Sequence, residues 1–399
     1  MNGILTMTLK EQERLKVLSE LDKKLLTFTE AAILLSLSER QVYRLMSRYH
    51  EHGNAGVVHG LRGKTSNRGF SSDQRKHILN VYHAQYPDYG PTLFSEQLLK
   101  EHSITVSHET LRRWLRGSQI TSAQRKKRPH RRKRERRAAI GEMLQFDGSP
   151  HDWFEGRGAP CCLLHAIDDA SGRVFLRFAP SENATDVLRT LKTYVERYGI
   201  PKSFYTDHGS VFYAENSLTD VGRAMQSLGV KLIFAKSPQA KGRVERGNRT
   251  HQDRLIKALR QADVSTIADA NRFLDEQYLN EHNTRFALTD SLADIHHPAI
   301  AHDLTNIFCF QTLRQVHNDY TITLNGQYIQ LLASGSPLPP PKRSVTVRRW
   351  LDDTLHIFWN THELNFSILA RKPKPSLAPP RKPATNHPWR GKLVGRAVT

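Results

Sequence analysis

Three acidic residues lie at positions where strands and helices could bring their side chains together. Asp147 lies in a predicted strand, Asp207 directly follows another, and Glu245 lies on a predicted helix. Three converging carboxylates repel one another unless a cation lies among them, and Mg²⁺ prefers oxygen ligands of this kind. Two such ions about 3.5–4 Å apart can stabilise the attacking and leaving oxygens of a phosphodiester during in-line displacement. The three acids are therefore candidates for phosphodiester chemistry.

Each acid alone also has a structural interpretation. Asp147 could be a polar residue at a strand end, Asp207 a turn residue, and Glu245 an ion-pair partner of Arg249. Asp168 is the first alternative ligand, because the second predicted strand is expected beside the first. The acids nearby that could replace one of the three are Asp152, Asp168 and Asp169.

The elements that position the acids alternate between strand and helix patterns. Met143–Gly148, Cys161–Asp168 and Arg173–Pro180 are short apolar segments separated by turn residues, which predicts an antiparallel meander. This order predicts an α/β domain with a mixed five-stranded sheet. The elements predicted after the meander are a helix, a strand, a helix and a strand, at Asn183–Tyr198, Lys202–Thr206, Ser217–Leu228 and Val230–Ala235.

A long helix is predicted from Pro238 to about residue 260. Ser237 is a favourable N-cap, and proline suits the first helical position, so the phase of the helix is well defined. Glu245 then shares a face with Lys241 and Arg249, and we expect both basic residues to contact DNA phosphates beside the acids.

Gly242 lies one turn before Glu245 on this helix. A glycine inside a helix costs about 1 kcal/mol relative to alanine. Its position therefore predicts that either the sheet or DNA packs closely against the helix there.

Three sequence blocks surround the acids: LQFDG at 144–148, YTDHGSVF at 205–212 and SPQAKGRVER at 237–246. They resemble the catalytic blocks of the DDE transposase and retroviral-integrase superfamily, and the order of the predicted elements is the ribonuclease-H-like one. The acids are separated by 60 and 38 positions. The resemblance implies a polynucleotidyl transferase with Asp147, Asp207 and Glu245 as catalytic Mg²⁺ ligands, with two ions per site and Mn²⁺ as a substitute.

The blocks depart from the superfamily pattern at two positions. The second block often has Asn where this chain has His208, and the third often has Asn where this chain has Lys241. Neither departure removes a metal ligand. No cysteine precedes Cys161, so the zinc-binding His/Cys module of retroviral integrases is missing from this sequence. The chain resembles bacterial mobile-element enzymes more than viral ones, and we expect a cytoplasmic, nucleoid-associated protein.

The charge balance favours a polyanionic partner. The 399 residues include 59 Lys and Arg against 39 Asp and Glu, which gives a net charge of +20. Such an excess steers association with nucleic acid, so double-stranded DNA is the expected partner. Three cysteines exclude a disulfide scaffold, and the absence of a long apolar stretch argues against membrane insertion.

The first segment is typical of a helix-turn-helix unit. Capping-box patterns at residues 27–30 and 38–41 open two short helices, Glu30–Leu37 and Gln41–His50. An ordinary helical hairpin with a solvated basic face is the alternative. The basic residues expected to face DNA on the second helix are Arg40, Arg44 and Arg48.

A second unit of the same kind follows. Ser71 and Gln74 open a helix that runs to about residue 86, a helix covers Thr92–Glu101, and Ser107 caps His108–Leu115. Two such units in tandem favour sequence-specific DNA binding. The residues of the last helix expected to contact DNA are Arg112 and Arg113.

Residues 125–137 form a basic run in which ten of thirteen side chains are Lys or Arg. Like charges at this density repel, so we expect an extended linker that follows DNA phosphates. A nuclear-localisation signal and a passive linker are the alternatives. The residues predicted to contact DNA are Arg125, Lys126, Lys127, Arg131 and Arg132.

The last third returns to strand patterns. Five short strands are predicted, and they suggest a small β-barrel followed by a basic, proline-rich tail. The strands are Tyr320–Leu324, Gln327–Leu332, Val345–Trp350, Thr354–Trp359 and Asn365–Leu369.

The whole chain is thus predicted to be multidomain, with all-α helix-turn-helix units, an α/β ribonuclease-H-like core and a small C-terminal β-barrel. It resembles a transposase that assembles as a homo-oligomer on DNA and uses no nucleotide cofactor. A non-catalytic DNA-binding regulator and a ribonuclease-H-like nuclease are the alternatives. The predicted domains are 1–66 and 67–122 (helix-turn-helix units), 123–140 (basic linker), 141–285 (catalytic core), 286–309 (helical connector), 310–370 (barrel) and 371–399 (tail).

Overall fold

The computed structural model describes residues 5–60, 62, 69–118, 120, 135–235, 242–288, 291–333 and 337–370. The chain divides into two units, Met1–Lys127 and Arg128–Thr399. The first unit contains helices, and the second contains two β-sheets with further helices. Most of the basic run and the C-terminal tail lie outside the described residues. None of the described helices combines the length and the apolar character that crossing a membrane requires.

The first helices form as their capping residues predict. The Oγ atoms of Thr27 and Ser38 accept the backbone N–H of Glu30 and Gln41, so both predicted capping boxes are present. Leu18, Val42 and other apolar side chains form a small core. The elements are α1 (Leu9–Asp22), α2 (Phe28–Leu35), α3 (Glu39–His52) and a 3₁₀ turn (Gly53–Val57).

The second helical unit has its own core. Ser71 and Ser107 cap the first and last of its three helices, as predicted. Phe94, Leu98 and Leu111 are fully buried in its centre. The helices are α4 (Ser72–Gln85), α5 (Pro91–His102) and α6 (His108–Gly117).

The predicted mixed five-stranded sheet is present in the order β3-β2-β1-β4-β5. The first three strands pair antiparallel, whereas β4 pairs parallel with β1 and with β5. Every residue of β2 is buried, which accounts for a sequence that is apolar apart from His165 and Asp168. The elements are β1 (Leu144–His151), β2 (Cys161–Asp168), β3 (Val174–Ala179), α7 (Ala184–Tyr198), β4 (Ser203–Thr206), α8 (Asp220–Ser227) and β5 (Lys231–Phe234).

The long helix that carries Glu245 is described from Gly242, whereas the sequence predicts a start at Pro238. Residues 236–241 lie outside the described residues, and Glu245 falls in the first turn of the described helix. The helices that follow are α9 (Gly242–Gln261), α10 (Ile267–Phe273), a π-helical turn (Leu274–Tyr278), α11 (Leu279–Phe286) and α12 (Leu304–Ile307).

Six strands, one more than predicted, form a second antiparallel sheet in the order β6-β9-β10-β11-β8-β7. The sheet is nearly closed around Ile322, Ile329 and Ile357. Full closure into a barrel stays a prediction. The strands are β6 (Phe310–Gln315), β7 (Thr321–Leu324), β8 (Gln327–Leu332), β9 (Ser344–Arg349), β10 (Leu355–Trp359) and β11 (His362–Leu369).

Candidate active site

Asp147 and Asp207 lie at the same level on neighbouring strands. Gln145 of β1 is paired with Tyr205 of β4 in parallel register, and each aspartate comes two residues later. Both aspartates therefore lie just beyond the point where the parallel pairing of β1 with β4 ends. Asp207 Oδ1 accepts the backbone N–H of Gly209 at 2.9 Å. A Cβ at position 209 would lie 2.9 Å from that oxygen, so glycine permits this close turn.

Helix α9 is joined to this part of the sheet by a hydrogen bond. The Nδ2 atom of Asn248 donates to Asp147 Oδ2 at 2.9 Å. Glu245 lies three residues before Asn248, hence on the same helix face. All three predicted ligands thus belong to elements that meet at one end of the sheet.

The donor atoms suit magnesium, because two Asp and one Glu supply hard carboxylate oxygens. The three side chains are half-buried. Within the described residues, however, no three His, Cys, Asp or Glu side chains are close enough together to form a metal-binding group. The fold brings the elements of the three acids together, and the ligand set itself stays a prediction.

The alternative ligand Asp168 has a structural role instead. Its side chain is buried, and its Oδ2 accepts the backbone N–H of Gly141 at 2.8 Å. Its Oδ1 accepts the backbone N–H and the hydroxyl of Ser171 at 2.7 and 2.6 Å. Both oxygens hold the loops around the sheet, and the expectation that Asp168 could replace a metal ligand stays a prediction.

Asp169 and Asp152 also hold local structure. Asp169 accepts a hydrogen bond from Gln145 and lies 3.4 Å from Arg243 Nε at the start of α9. Asp152 accepts the backbone N–H of Gly156 in a turn. Arg243 therefore ties the first turn of α9 to the loop after β2.

The close approach of α9 to the sheet occurs at Gly247, whereas the described residues show no such approach at Gly242, and a close approach of DNA at Gly242 stays a prediction. No described atom lies within 4 Å of a Cβ built at Gly242. A Cβ at Gly247 would overlap the imidazole ring of His165. Glycine at this position therefore allows the helix to lie against the His165 ring on β2.

Three histidines form a buried cluster behind the acids, which the sequence did not predict. Burial lowers the pKa of His165 to about 4. Burial is also the main cause that lowers the pKa of His282 to about 3, and the nearby His165, Arg254 and Arg285 act in the same direction. Burial also lowers the pKa of His251 well below its usual range. The rings are therefore neutral at pH 7. The sequence feature that could have indicated the cluster was the histidine inside the run CCLLHAID.

Gly148 of β1 leaves room for a further carboxylate against the strand. A Cβ at position 148 would overlap the carboxylate of Glu182, which lies between β3 and α7. Glu182 also contributes to raising the pKa of Cys162 to about 12, after burial of the thiol as the main cause. Sequence reasoning missed Glu182 because no motif marks its position.

The basic residues predicted to contact DNA differ in their surroundings. Arg40, Arg44 and Arg113 are exposed. Arg48 is half-buried and donates to the Val58 carbonyl at 2.7 Å, so it stabilises the fold rather than facing outward. Arg112 forms an ion pair with Glu109. Arg249 is exposed on α9. The predicted contacts outside the described residues are Lys241, Arg125, Lys126, Lys127, Arg131 and Arg132.

The two last arginines of the basic run bind the core. Arg136 Nη1 donates to the Ala170 carbonyl at 2.8 Å, and Arg137 lies 3.4 Å from Glu142 Oε1. The backbone N–H of Arg137 also donates to Asp169. This end of the run is therefore anchored to the loop that follows β2.

The fold of the second unit belongs to a class of protein, the integrase-type core domains. The chain matches the integrase core domain over residues 139–239, a helix-turn-helix domain over 13–65 and a homeodomain-like domain over 41–115. The first match covers Asp147 and Asp207 and ends before Glu245.

Two proteins of similar sequence show to which family the chain belongs. A Sinorhizobium fredii protein named "Putative transposase y4bF" is 36% identical over 377 residues, which cover 92% of this chain and 82% of the relative. The "Transposase for insertion sequence IS1202" of Streptococcus pneumoniae is 30% identical over 306 residues, 65% of each chain. The chain therefore belongs to the family of transposases with an integrase core domain.

Solved structures of viral integrases are also similar in part. One is named "Structure of the HTLV-2 integrase catalytic core domain in complex with magnesium (dimeric form)". The similarity covers 35% of this chain and 90% of that chain, with 19% sequence identity and a TM-score of 0.28.

Proposed function

We propose that this transposase binds the ends of a mobile DNA element and catalyses metal-dependent strand cleavage and 3′-hydroxyl strand transfer, as a DDE polynucleotidyl transferase. The observation that carries the proposal is the hydrogen bond from Asn248 to Asp147. It joins the helix of Glu245 to β1, which carries Asp147, and β1 pairs with β4, which ends just before Asp207. This contact supports a shared site for acids that are distant in sequence.

In this proposal Asp147, Asp207 and Glu245 hold two Mg²⁺ ions, with Mn²⁺ as a substitute. When bound, such ions stabilise negative charge on the attacking and leaving oxygens of a phosphodiester. The hydrogen bonds of Asn248 to Asp147 and of Gly209 to Asp207 hold the two aspartates in defined orientations. The protein thus contributes mainly by positioning.

Two exchanges at phosphorus account for the reaction. In cleavage, a water oxygen forms a bond to phosphorus, and the bond to the 3′ oxygen breaks, which leaves a 3′-hydroxyl and a 5′-phosphate. In transfer, that 3′ oxygen forms a bond to a phosphorus of the target strand, and a target 3′-hydroxyl leaves. The number of phosphodiester bonds is unchanged by transfer, so no nucleotide cofactor is required.

The remaining domains would bind DNA. We propose that α3 and α6 enter major grooves at the element ends, with Arg40, Arg44 and Arg113 as the exposed contacts. The basic run and the pair Lys241 and Arg249 would contact phosphates. The C-terminal sheet would close into a small barrel, and several copies would assemble on the two element ends near the nucleoid. The domain boundaries predicted from sequence form part of this proposal.

The test is strand transfer of a labelled element end into plasmid DNA with Mg²⁺ or Mn²⁺. Asp147→Asn, Asp207→Asn and Glu245→Gln each remove a negative ligand while preserving shape. We expect each variant to lose cleavage and joining while end binding and the melting temperature remain those of the parent. Asp152→Asn is the matched control, because Asp152 holds only a turn.

Normal joining by any one of the three variants would remove that residue from the ligand set. A parent protein that neither cleaves nor joins cognate ends with any divalent metal would contradict the proposal as a whole.

A further inference from the structure

A chain of buried contacts leads from β2 to Asp147. His165 is paired with Asp147 in the antiparallel register of β2 and β1. The amide of Asn248 joins the two side chains, with Nδ2 2.9 Å from Asp147 Oδ2 and Oδ1 2.7 Å from His165 Nδ1. His165 is fully buried and Asn248 is 9% exposed, so water does not compete freely for these bonds. Three elements thus meet in one hydrogen-bonded path.

The direction of each bond follows from the chemistry of Asp147. An ionised carboxylate only accepts hydrogen bonds, so the Asn248 atom that faces it must be the amide nitrogen. The amide oxygen therefore faces His165, and that oxygen cannot donate. The proton on His165 must lie on Nδ1. Nε2 has no hydrogen-bond partner among the described residues, and in this tautomer it carries a lone pair rather than an unsatisfied N–H.

The backbone of α9 accommodates the imidazole ring. Gly247 directly precedes Asn248, and a Cβ at Gly247 would overlap His165. A helix interior disfavours glycine, so its presence here has a packing reason. Gly247 allows the helix to approach β2 closely enough for the His165–Asn248 bond.

We propose that His165 is a positioning residue of the active site, whose Nδ1–H orients the Asn248 amide so that it holds the Asp147 carboxylate ready to bind metal. The inference rests on the proposed function, because it assigns Asp147 a ligand role. His165 contacts no reacting atom and acts only through Asn248.

If His165 loses its Nδ1–H donor, nothing on β2 fixes the orientation of the Asn248 amide. Asn248 can then rotate and present its oxygen to Asp147, where two acceptors repel each other. Removing an outer partner of a metal ligand typically costs about 10–100-fold in metal affinity or activity. We expect an effect of that size on both quantities.

The test compares His165→Leu with His165→Asn in the full-length protein. Leucine and asparagine have similar size, but only asparagine retains a donor near the position of Nδ1. Mn²⁺ binding to the complex with an element end is measured by calorimetry, beside strand transfer and thermal melts. We expect His165→Leu to weaken Mn²⁺ binding by about 10–100-fold and His165→Asn to remain close to the parent.

His251→Leu controls for the loss of a buried histidine. His251 packs edge-on against His165, with ring centroids 4.9 Å apart, but its Nδ1 bonds to the Tyr278 hydroxyl. Its replacement is expected to lower stability without changing Mn²⁺ affinity. Asp147→Asn is run alongside to separate the two proposals.

Parent-like Mn²⁺ binding by His165→Leu would overturn the inference, as would equal impairment of the Leu and Asn variants. If Asp147→Asn is inactive but His165→Leu behaves like the parent, only the role of His165 is disproved. If Asp147→Asn is active, the ligand role of Asp147 itself is disproved. If His165→Leu does not fold, ¹⁵N NMR of the parent protein labelled at histidine determines the tautomer of His165. The His165 signal is identified as the one that is missing from the spectrum of His165→Asn. An Nδ1–H tautomer supports the proposal, and an Nε2–H tautomer overturns it.

Discussion

Asp147 and Asp168 carry the same side chain on neighbouring strands, yet their surroundings assign them different tasks. Asp168 is 1% exposed and accepts three hydrogen bonds, from Gly141 and Ser171. Asp147 is half-buried within β1. Asp168 uses both of its oxygens to hold N–H and O–H groups of neighbouring loops, whereas Asp147 accepts a hydrogen bond from Asn248 and is the aspartate that we propose as a metal ligand.

Asp168→Asn is therefore expected to destabilise the core. The amide nitrogen would face a backbone N–H, and the charge that strengthens the remaining bonds would be removed. We expect a loss of about 2–3 kcal/mol, seen as a melting temperature lower by about 5–10 °C. Calorimetric melts measure it, and strand transfer at low temperature should persist.

Asp147→Asn is expected to show the opposite behaviour, with the melting temperature of the parent and no joining of DNA strands. If Asp168→Asn instead melted like the parent but failed to join DNA, the structural assignment of Asp168 would be wrong.

At the scale of elements, the predictability of the sheet depended on local apolar patterns. The bounds of β2 match the prediction because the strand is buried on both faces. Strand β6 was missed because its side chains show no alternation of burial, and Leu313 is 69% exposed. Pairing with β9, distant in sequence, places β6 in the sheet.

Local patterns also predicted the elements that carry the three candidate acids. Asp147 lies within β1, Asp207 directly follows β4, and Glu245 lies on α9, whereas their joint role as metal ligands stays a prediction. The contact between His165 and Asn248 joins residues 83 positions apart, and no local pattern encodes it. Packing of α9 on β2 determines that contact, and its traces in the sequence were Gly247 and the histidine inside the buried strand.

The same packing predicts how stability depends on pH. The pKa of His165 is about 4 in the folded chain, below 6.5, and the pKa values of His251 and His282 are also lowered by burial. Between pH 6.5 and 4 the unfolded chain therefore binds more protons than the folded one, so stability falls as pH decreases. For His165 alone the loss reaches about 3 kcal/mol by pH 4.

Denaturant unfolding at pH 7.5, 6 and 5, followed by tryptophan fluorescence, measures this slope, because Trp153 is buried in the same core. Carboxylates with lowered pKa, such as Asp294 and Asp303, lose their contribution at lower pH. His165→Asn should reduce the dependence of the free energy of unfolding on pH between pH 7.5 and 5. Equal stability at pH 7.5 and 5 would contradict the prediction.

At the scale of the whole molecule, the net charge of +20 is concentrated in part in one segment. Residues 125–137 carry ten basic side chains between the helical unit and the core. Arg136 and Arg137 are bound to the core, through Ala170 and Glu142. The run therefore combines an anchored end with basic residues that we propose to contact phosphates.

Replacing Arg125, Lys126, Lys127, Arg131 and Arg132 by Gln should flatten the salt dependence of DNA binding. The slope of log K against log salt is expected to fall by about 0.9 for each phosphate that the variant no longer neutralises. Since phosphates carry no sequence information, cognate ends and unrelated duplexes should lose affinity alike. Titrations of the full-length protein at several salt concentrations measure both effects.

The double variant Arg136→Gln, Arg137→Gln is the matched control from the same run. Those side chains bind protein groups, so their replacement should lower stability and leave the salt slope in place. A five-residue variant with the slope of the parent would make the run a passive linker. A loss confined to cognate ends would instead indicate base contacts, because only these distinguish one duplex from another.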